Sequence, residues 1–122
     1  MGEAVRVAIY MRLSREDGNA DRESNSIRMQ RMLLTDDVRQ HFEEYELMEF
    51  TDDGYTGTNF NRPGVCRLLE LAEAGEVDCI IVKDFSRFSR DYIGLGDHME
   101  RFFPAWGIRF ISVNDHYDSD VR

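Results

Sequence analysis

Four short runs of β-forming apolar residues, separated by stretches with helical spacing, constrain this chain more than any other feature. Val5 to Tyr10 read V-R-V-A-I-Y, Tyr45 to Thr51 form a second run, Asp78 to Val82 read D-C-I-I-V, and Ile108 to Val113 form a fourth. The third is apolar enough for a central strand buried on both faces. A first helix is expected from about Ile27 to Phe42, with Ile27, Leu34 and Val38 on one face. The polar stretch Asp17 to Ser26 reads as a loop before it, with Ser24 or Ser26 as its cap. A second helix begins at Pro63, carries Val65, Leu68, Leu69 and Ala72 on one face, and stops at Gly75. A third carries Tyr92, Leu95, Met99, Phe102, Phe103 and Trp106 at offsets of three and four; Pro104 should kink or end it, and Gly107 break it. The β-α-β-α-β-α-β order predicts an α/β three-layer sandwich, a mostly parallel sheet of four to five strands with helices on both faces.

With 122 residues, 42% of them hydrophobic, the chain suits one compact domain spanning residues 1–122. No apolar run reaches the length of a membrane span, and the N-terminus lacks a signal-peptide layout. Cys66 and Cys79 are far from a C-x-x-C spacing, and His41, His98 and His116 are scattered, so no metal cluster is expected and a reducing, cytoplasmic setting follows. The net charge of −9 repels a polyanion on average. Any role on DNA must therefore rest on a local cluster of arginines.

In sheets of this kind ligands gather beyond the carboxyl ends of the strands. The expected order collects Arg12 and Ser14, Asp53 to Arg62, and Lys83 to Arg90 along one rim. Ser14 needs a base or a charge-compensated target to act as a nucleophile. No histidine falls in a rim cluster and G-x-S-x-G is absent, which argues against a Ser-His-Asp hydrolase. The rim offers arginine instead. Arg12, Arg62, Arg87 and Arg90, with Lys83 as a fifth cation, suit the equatorial oxygens of a phosphoryl group in its transition state. Asp53 could orient a cation or move a proton. Gln30 shares the apolar stripe of the first helix and needs a polar partner, either an ordinary core hydrogen bond or a role in the site. Taken singly, each feature is ordinary: a serine after a strand caps or turns, surface arginines are solvated, and Asp52-Asp53-Gly54 makes a turn.

Taken together, the motifs resemble one family. Tyr10-Met11-Arg12-Leu13-Ser14, then Ser26-Ile27 with Gln30 and Leu34, are similar to the first strand and first helix of the serine recombinase (resolvase/invertase) catalytic domain. Asp53-Gly54-Tyr55-Thr56-Gly57 with Asn61-Arg62-Pro63, Lys83 through Arg90, and Phe110 through Asp115 resemble its later segments in the same order. The likeness runs from about Val5 to Ser119 and is nearest to the large serine recombinases of mobile elements in Gram-positive bacteria.

The resemblance implies a resolvase-like fold and site-specific DNA recombination without ATP or metal. It implies that Ser14 attacks the scissile phosphate to leave a 5′-phosphoserine linkage, and that Arg12, Arg87 and Arg90 surround that phosphate. Gln30, Asp53 and Arg62 would support them, with Lys83 adding charge and Tyr10, Thr56, Asp84 and Ser86 nearby. It further implies double-stranded DNA as substrate and a homodimer that pairs into a tetramer. The family's catalytic domain continues into a long dimerisation helix and DNA-binding domains, so the chain reads as a catalytic fragment that is inactive alone. Two departures stand out. Small resolvases carry serine at the position of Thr56, and aspartate at that of Ser86, where Asp84 lies two residues earlier.

Two other classes fit the layout less well. A receiver-like signalling module shares acidic pairs and a strand-end lysine, but it needs an acidic cluster where Arg12-Leu13-Ser14 stands. A protein-interaction module with a vestigial rim would bind neither phosphate nor sulfate near Arg12, Arg87 and Arg90.

Overall fold

The computed structural model describes residues 4–13, 20–53, 63–88 and 97–119. Their strands are β1 (Val5–Leu13), β2 (Tyr45–Asp53), β3 (Cys79–Val82), β4 (Arg109–Ser112) and β5 (Tyr117–Asp118). They form one sheet in the order β2-β1-β3-β4-β5. The first four run parallel, and β5 pairs antiparallel with β4. This is the predicted architecture, with the fifth strand supplied by a polar segment too short to signal itself.

Alternation along β1 divides the core. Val7, Ile9 and Met11 pack with Leu34 and Val38 of α1 (Ala20–His41). Ala8 and Tyr10 point to the opposite face, toward Val65, Leu68 and Ala72 of α2 (Pro63–Glu73). β3 is buried along its whole length, as a central parallel strand must be.

Several boundaries differ from the sequence expectation. β1 does not stop at Tyr10, nor β2 at Thr51. Both continue because Met11↔Thr51, Arg12↔Asp52 and Leu13↔Asp53 remain paired, and a polar side chain does not end a strand whose backbone is still bonded. Asp52 and Asp53 are thus strand residues, not a turn. α1 begins at Ala20, so Ser24 and Ser26 lie inside the helix and do not cap it. The segment from Ala20 contains no Gly or Pro, and its residues cost a helix only tenths of a kcal/mol each, about 0.7 at most. The remainder of the expected loop, residues 17–19, lies outside the described residues.

α2 ends as predicted. Gly75 adopts φ +83°, its N–H bonds Ala72 C=O, and Glu76 N–H bonds Leu71 C=O, closing a Schellman motif. After β3 comes a single turn, α3 (Phe85–Phe88), then a π-helical turn (His98–Phe102) running into α4 (Phe103–Trp106). Tyr92 and Leu95 lie outside the described residues. Pro104 does not terminate the helix. It distorts it instead: the helical chain directly ahead of Pro104 widens into the π turn, the kink that a proline without an N–H imposes. Gly107, at φ +73°, ends α4. No helix among the described residues is long and apolar enough to cross a membrane.

Charges at the N-terminal edge of the sheet pair with one another. The Arg6 guanidinium donates to both oxygens of Asp78, at 3.2 and 3.3 Å. Arg109 grips Asp118 through two bonds of 2.9 and 2.6 Å and lies 5.6 Å over the Phe42 ring. Beside them His41 Nε2 stands 3.3 Å from Asp37 Oδ2. Burial pushes the Asp37 carboxyl above the ordinary range, helped by Asp118 and opposed by His41 and Arg109. Burial also acts upward on Asp78, but the hydrogen bonds and charge of Arg6 outweigh it and hold that carboxyl low.

Candidate functional site

Because β1 to β4 are parallel, their carboxyl ends share one edge of the sheet. The chain leaves β1 for β2 on one side and β3 for β4 on the other, so the crossovers diverge between β1 and β3. A switch point of this kind opens a crevice at the strand ends. β1 also overshoots its neighbour: Tyr10 pairs with Val82, the last residue of β3, leaving Met11 to Leu13 beyond it.

Arg12 stands in that overhang and is completely buried. Its backbone is clamped by Gln30 of α1, whose Oε1 accepts from Arg12 N–H and whose Nε2 donates to Arg12 C=O, both at 3.2 Å. Gln30 therefore satisfies its amide inside the core and at the same time sets the height of Arg12. The alternation that sends Ala8 and Tyr10 toward α2 sends Arg12 the same way. Its register partner on β2 is Asp52, so opposite charges stand side by side on one face. Arg12 is thus buried at the edge, and the ordinary alternative of a solvated surface arginine does not hold for it.

Asp52 is the residue that sequence reasoning missed, having fixed on Asp53. Its carboxylate is 3% exposed and accepts three hydrogen bonds. Tyr10 Oη donates at 2.6 Å, Gly64 N–H at 2.8 Å and Val65 N–H at 3.0 Å. It thus caps α2 from eleven residues before Pro63, and a local capping pattern cannot reveal such a distant partner. Gly64 is required here, since a Cβ would lie 2.8 Å from Thr51 O and 2.9 Å from Asp52 Oδ2.

On the other side of the switch point, β3 passes through half-buried Lys83 and Asp84 into α3. Two aromatic anchors hold α3 down. Phe88 is fully buried, edge-on to Tyr10 at 6.1 Å and to Phe110 at 5.4 Å. Phe85 stacks on Phe110 and meets Tyr117 edge-on. Ser86 and Arg87 lie between these anchors. Phe85 N–H donates to Asp115 Oδ2 at 2.7 Å, and the same oxygen accepts from Ser112 Oγ at 2.7 Å. Neither Ser112 nor Asp115 was singled out from the sequence as part of this edge.

The structure therefore brings Tyr10, Arg12, Gln30, Lys83 and Asp84 to one edge, with the backbone of Asp53 ending β2 beside Leu13 and Arg87 within α3. The side chains of Asp53, Ser86 and Arg87 lie outside the description, as do Ser14, Thr56, Arg62 and Arg90 entirely. In sequence, Ser14 follows the last residue of β1 and Arg62 precedes the capped start of α2.

A family model described as Resolvase, N terminal domain, matches residues 7–121. The N-terminal catalytic domain of TP901-1 integrase superposes with a TM-score of 0.82 at 29% identity, over 94% of this chain and 82% of that one. The first ORF of transposon ISC1904 from Sulfolobus solfataricus P2 matches with a TM-score of 0.67 at 27% identity, over 92% of this chain and 69% of that one. A resolvase family site-specific recombinase from Streptococcus pneumoniae shares the fold, with a TM-score of 0.71 at 23% identity over 97% and 78% of the two chains. No curated protein matches.

Proposed function

The chain belongs to the resolvase family of serine recombinases, and from that premise we propose that it cleaves and rejoins DNA through Ser14. The observation that carries this reading is the edge itself. Gln30 and the β1–β2 register hold Arg12 where β1 overshoots β3, and α3, whose backbone includes Arg87, follows β3 at the same edge with Phe88 packed on Tyr10. Ser14 is two residues past Arg12.

In the proposed reaction Ser14 Oγ loses its proton and bonds to the scissile phosphorus. The bond from phosphorus to the 3′ oxygen breaks, and that oxygen takes up a proton. A 5′-phosphoserine linkage and a free 3′-hydroxyl result. One phosphate ester replaces another, so religation by a 3′-hydroxyl needs no outside source of energy. Arg12, Arg87 and Arg90 meet the phosphate oxygens, where charge that builds in the transition state is worth most. Arg62 and Lys83 add positive charge, Gln30 holds Arg12, and Asp53 orients a cation or moves a proton. Tyr10, Thr56, Asp84 and Ser86 support them. The substrate is a double-stranded recombination site, and exchange between two duplexes takes place in a tetramer assembled from dimers, in the cytoplasm. With a net charge of −9, this domain by itself does not grip duplex DNA and is inert on it.

Suicide duplexes incubated with the recombinase as its cell makes it test the proposal. A covalent DNA adduct mapping to Ser14 is the expected product. An adduct that persists in Ser14→Ala sinks the assignment.

A further inference from the structure

We infer that Asp115 is a positioning residue for the arginine-bearing turn α3, acting on the reaction through the hydrogen bond it accepts from Phe85 N–H. This rests on the reading that Arg87 meets the scissile phosphate. One turn of helix cannot hold itself in place, because its nucleation cost exceeds what so few hydrogen bonds return. The Phe85 and Phe88 rings press α3 onto the sheet, but apolar packing carries no hydrogen-bond direction and fixes the first N–H of the turn less sharply than a bond does. Direction comes from the 2.7 Å bond between Phe85 N–H and Asp115 Oδ2.

That oxygen is itself referenced to the sheet. Ser112, the last residue of β4 and fully buried, donates to it at 2.7 Å. The turn bearing Asp115 is bonded to the end of β3, with Val113 N–H on Val82 C=O at 3.0 Å and Asn114 N–H on Lys83 C=O at 2.8 Å. His116 closes it with φ +54° and an N–H bond to Val113 C=O at 3.2 Å. Arg87 is two residues beyond Phe85, on the turn whose first N–H this carboxylate holds. Asp115 is exposed, so water can replace its acceptor in a variant and the fold loses little. The placement of the turn that carries Arg87 is what a substitution removes.

In the recombinase as its cell makes it, Asp115→Ala is expected to leave the melting temperature and DNA affinity near those of the unaltered protein. Amide exchange at Phe85 should rise, and adduct formation at Ser14 should slow about tenfold or more, since small misplacements of a catalytic group are costly. Asp115→Asn retains an oxygen acceptor and should recover most of the rate. An unchanged adduct rate or unchanged Phe85 exchange in Asp115→Ala overturns the inference. So does a loss that Asn fails to rescue, because the carboxylate would then act by charge and not by holding the turn. Should Asp115→Ala fail to fold, Ser112→Ala loosens the same carboxylate and carries the same comparison of rate, affinity and exchange. Ser14→Ala run alongside separates the readings: an adduct surviving there defeats the nucleophile assignment, while exchange at Phe85 still decides the contact.

Discussion

The two edges of this sheet use the same acidic residue in opposite ways. At the N-terminal edge aspartates meet arginine side chains: Asp78 pairs with the Arg6 guanidinium while also accepting the Arg6 N–H, and Asp118 pairs with Arg109. At the C-terminal edge Asp52 and Asp115 meet backbone N–H groups and hydroxyls, and through them fix where α2 and α3 begin. An aspartate on a guanidinium chiefly offsets charge, whereas one on a helix start also fixes where that helix begins. The difference teaches where the molecule invests in placement. The edge proposed to bind phosphate carries the aspartates that hold helix starts, and the opposite edge carries those that grip guanidinium groups.

That contrast can be broken by substitution, and the largest effect is expected at Asp52. Asp52→Ala removes the shared acceptor of the Tyr10 hydroxyl and of the Gly64 and Val65 N–H groups, and should cost about 3 kcal/mol in denaturant unfolding. A cost below about 1 kcal/mol, no more than an ordinary surface cap, would remove the distinction between the edges. Gly64→Ala forces a Cβ against the Thr51 carbonyl and the same carboxylate, so a loss of about 1–3 kcal/mol is expected from the same measurement. Tyr10→Phe removes one donor of three and should cost about 1 kcal/mol.

At the other edge the effects are smaller. Arg6→Ala breaks a pair that is over a third exposed, and should cost at most about 0.5 kcal/mol. The Asp78 carboxyl is held low in the fold, so its contribution is present above the ordinary carboxylate range and is lost as pH falls through the folded value. Asp78→Asn should accordingly flatten the acid limb of a stability profile below about pH 4. Asp37 has the opposite sign. Its carboxyl is raised, so whatever it contributes is present at acid pH and is lost as pH rises through the folded value. Asp37→Asn should therefore melt slightly higher than the parent at neutral pH, with the gain gone near about pH 3. A lower melting temperature at neutral pH would mean that the His41 contact outweighs burial.

Much of the architecture was legible along the chain because apolar periodicity is a local signal. Val65, Leu68 and Ala72 announced the buried face of α2, and D-C-I-I-V announced a central strand. Boundaries were less legible. Whether Arg12 or Asp52 still belongs to a strand depends on what lies alongside, and each is kept in place by the other strand. Gln30 illustrates the same limit from within a helix. Its amide on an apolar stripe demanded a partner, but only the packing of α1 on β1 shows that the partner is the backbone of Arg12.

The sequence by itself determined the α/β alternation, the placing of polar clusters after strands, the capping glycine at position 75, and motifs sufficient to suggest the family. These follow from spacing, composition and backbone freedom, which short stretches of chain express directly. Tertiary structure alone decided that Asp52 and not a neighbouring residue caps α2, that Arg12 is enclosed, and that Asp115 reaches thirty residues back to the start of α3. A buried polar atom takes whichever partner the packed elements bring within about 3 Å, and that distance is uncorrelated with separation along the chain.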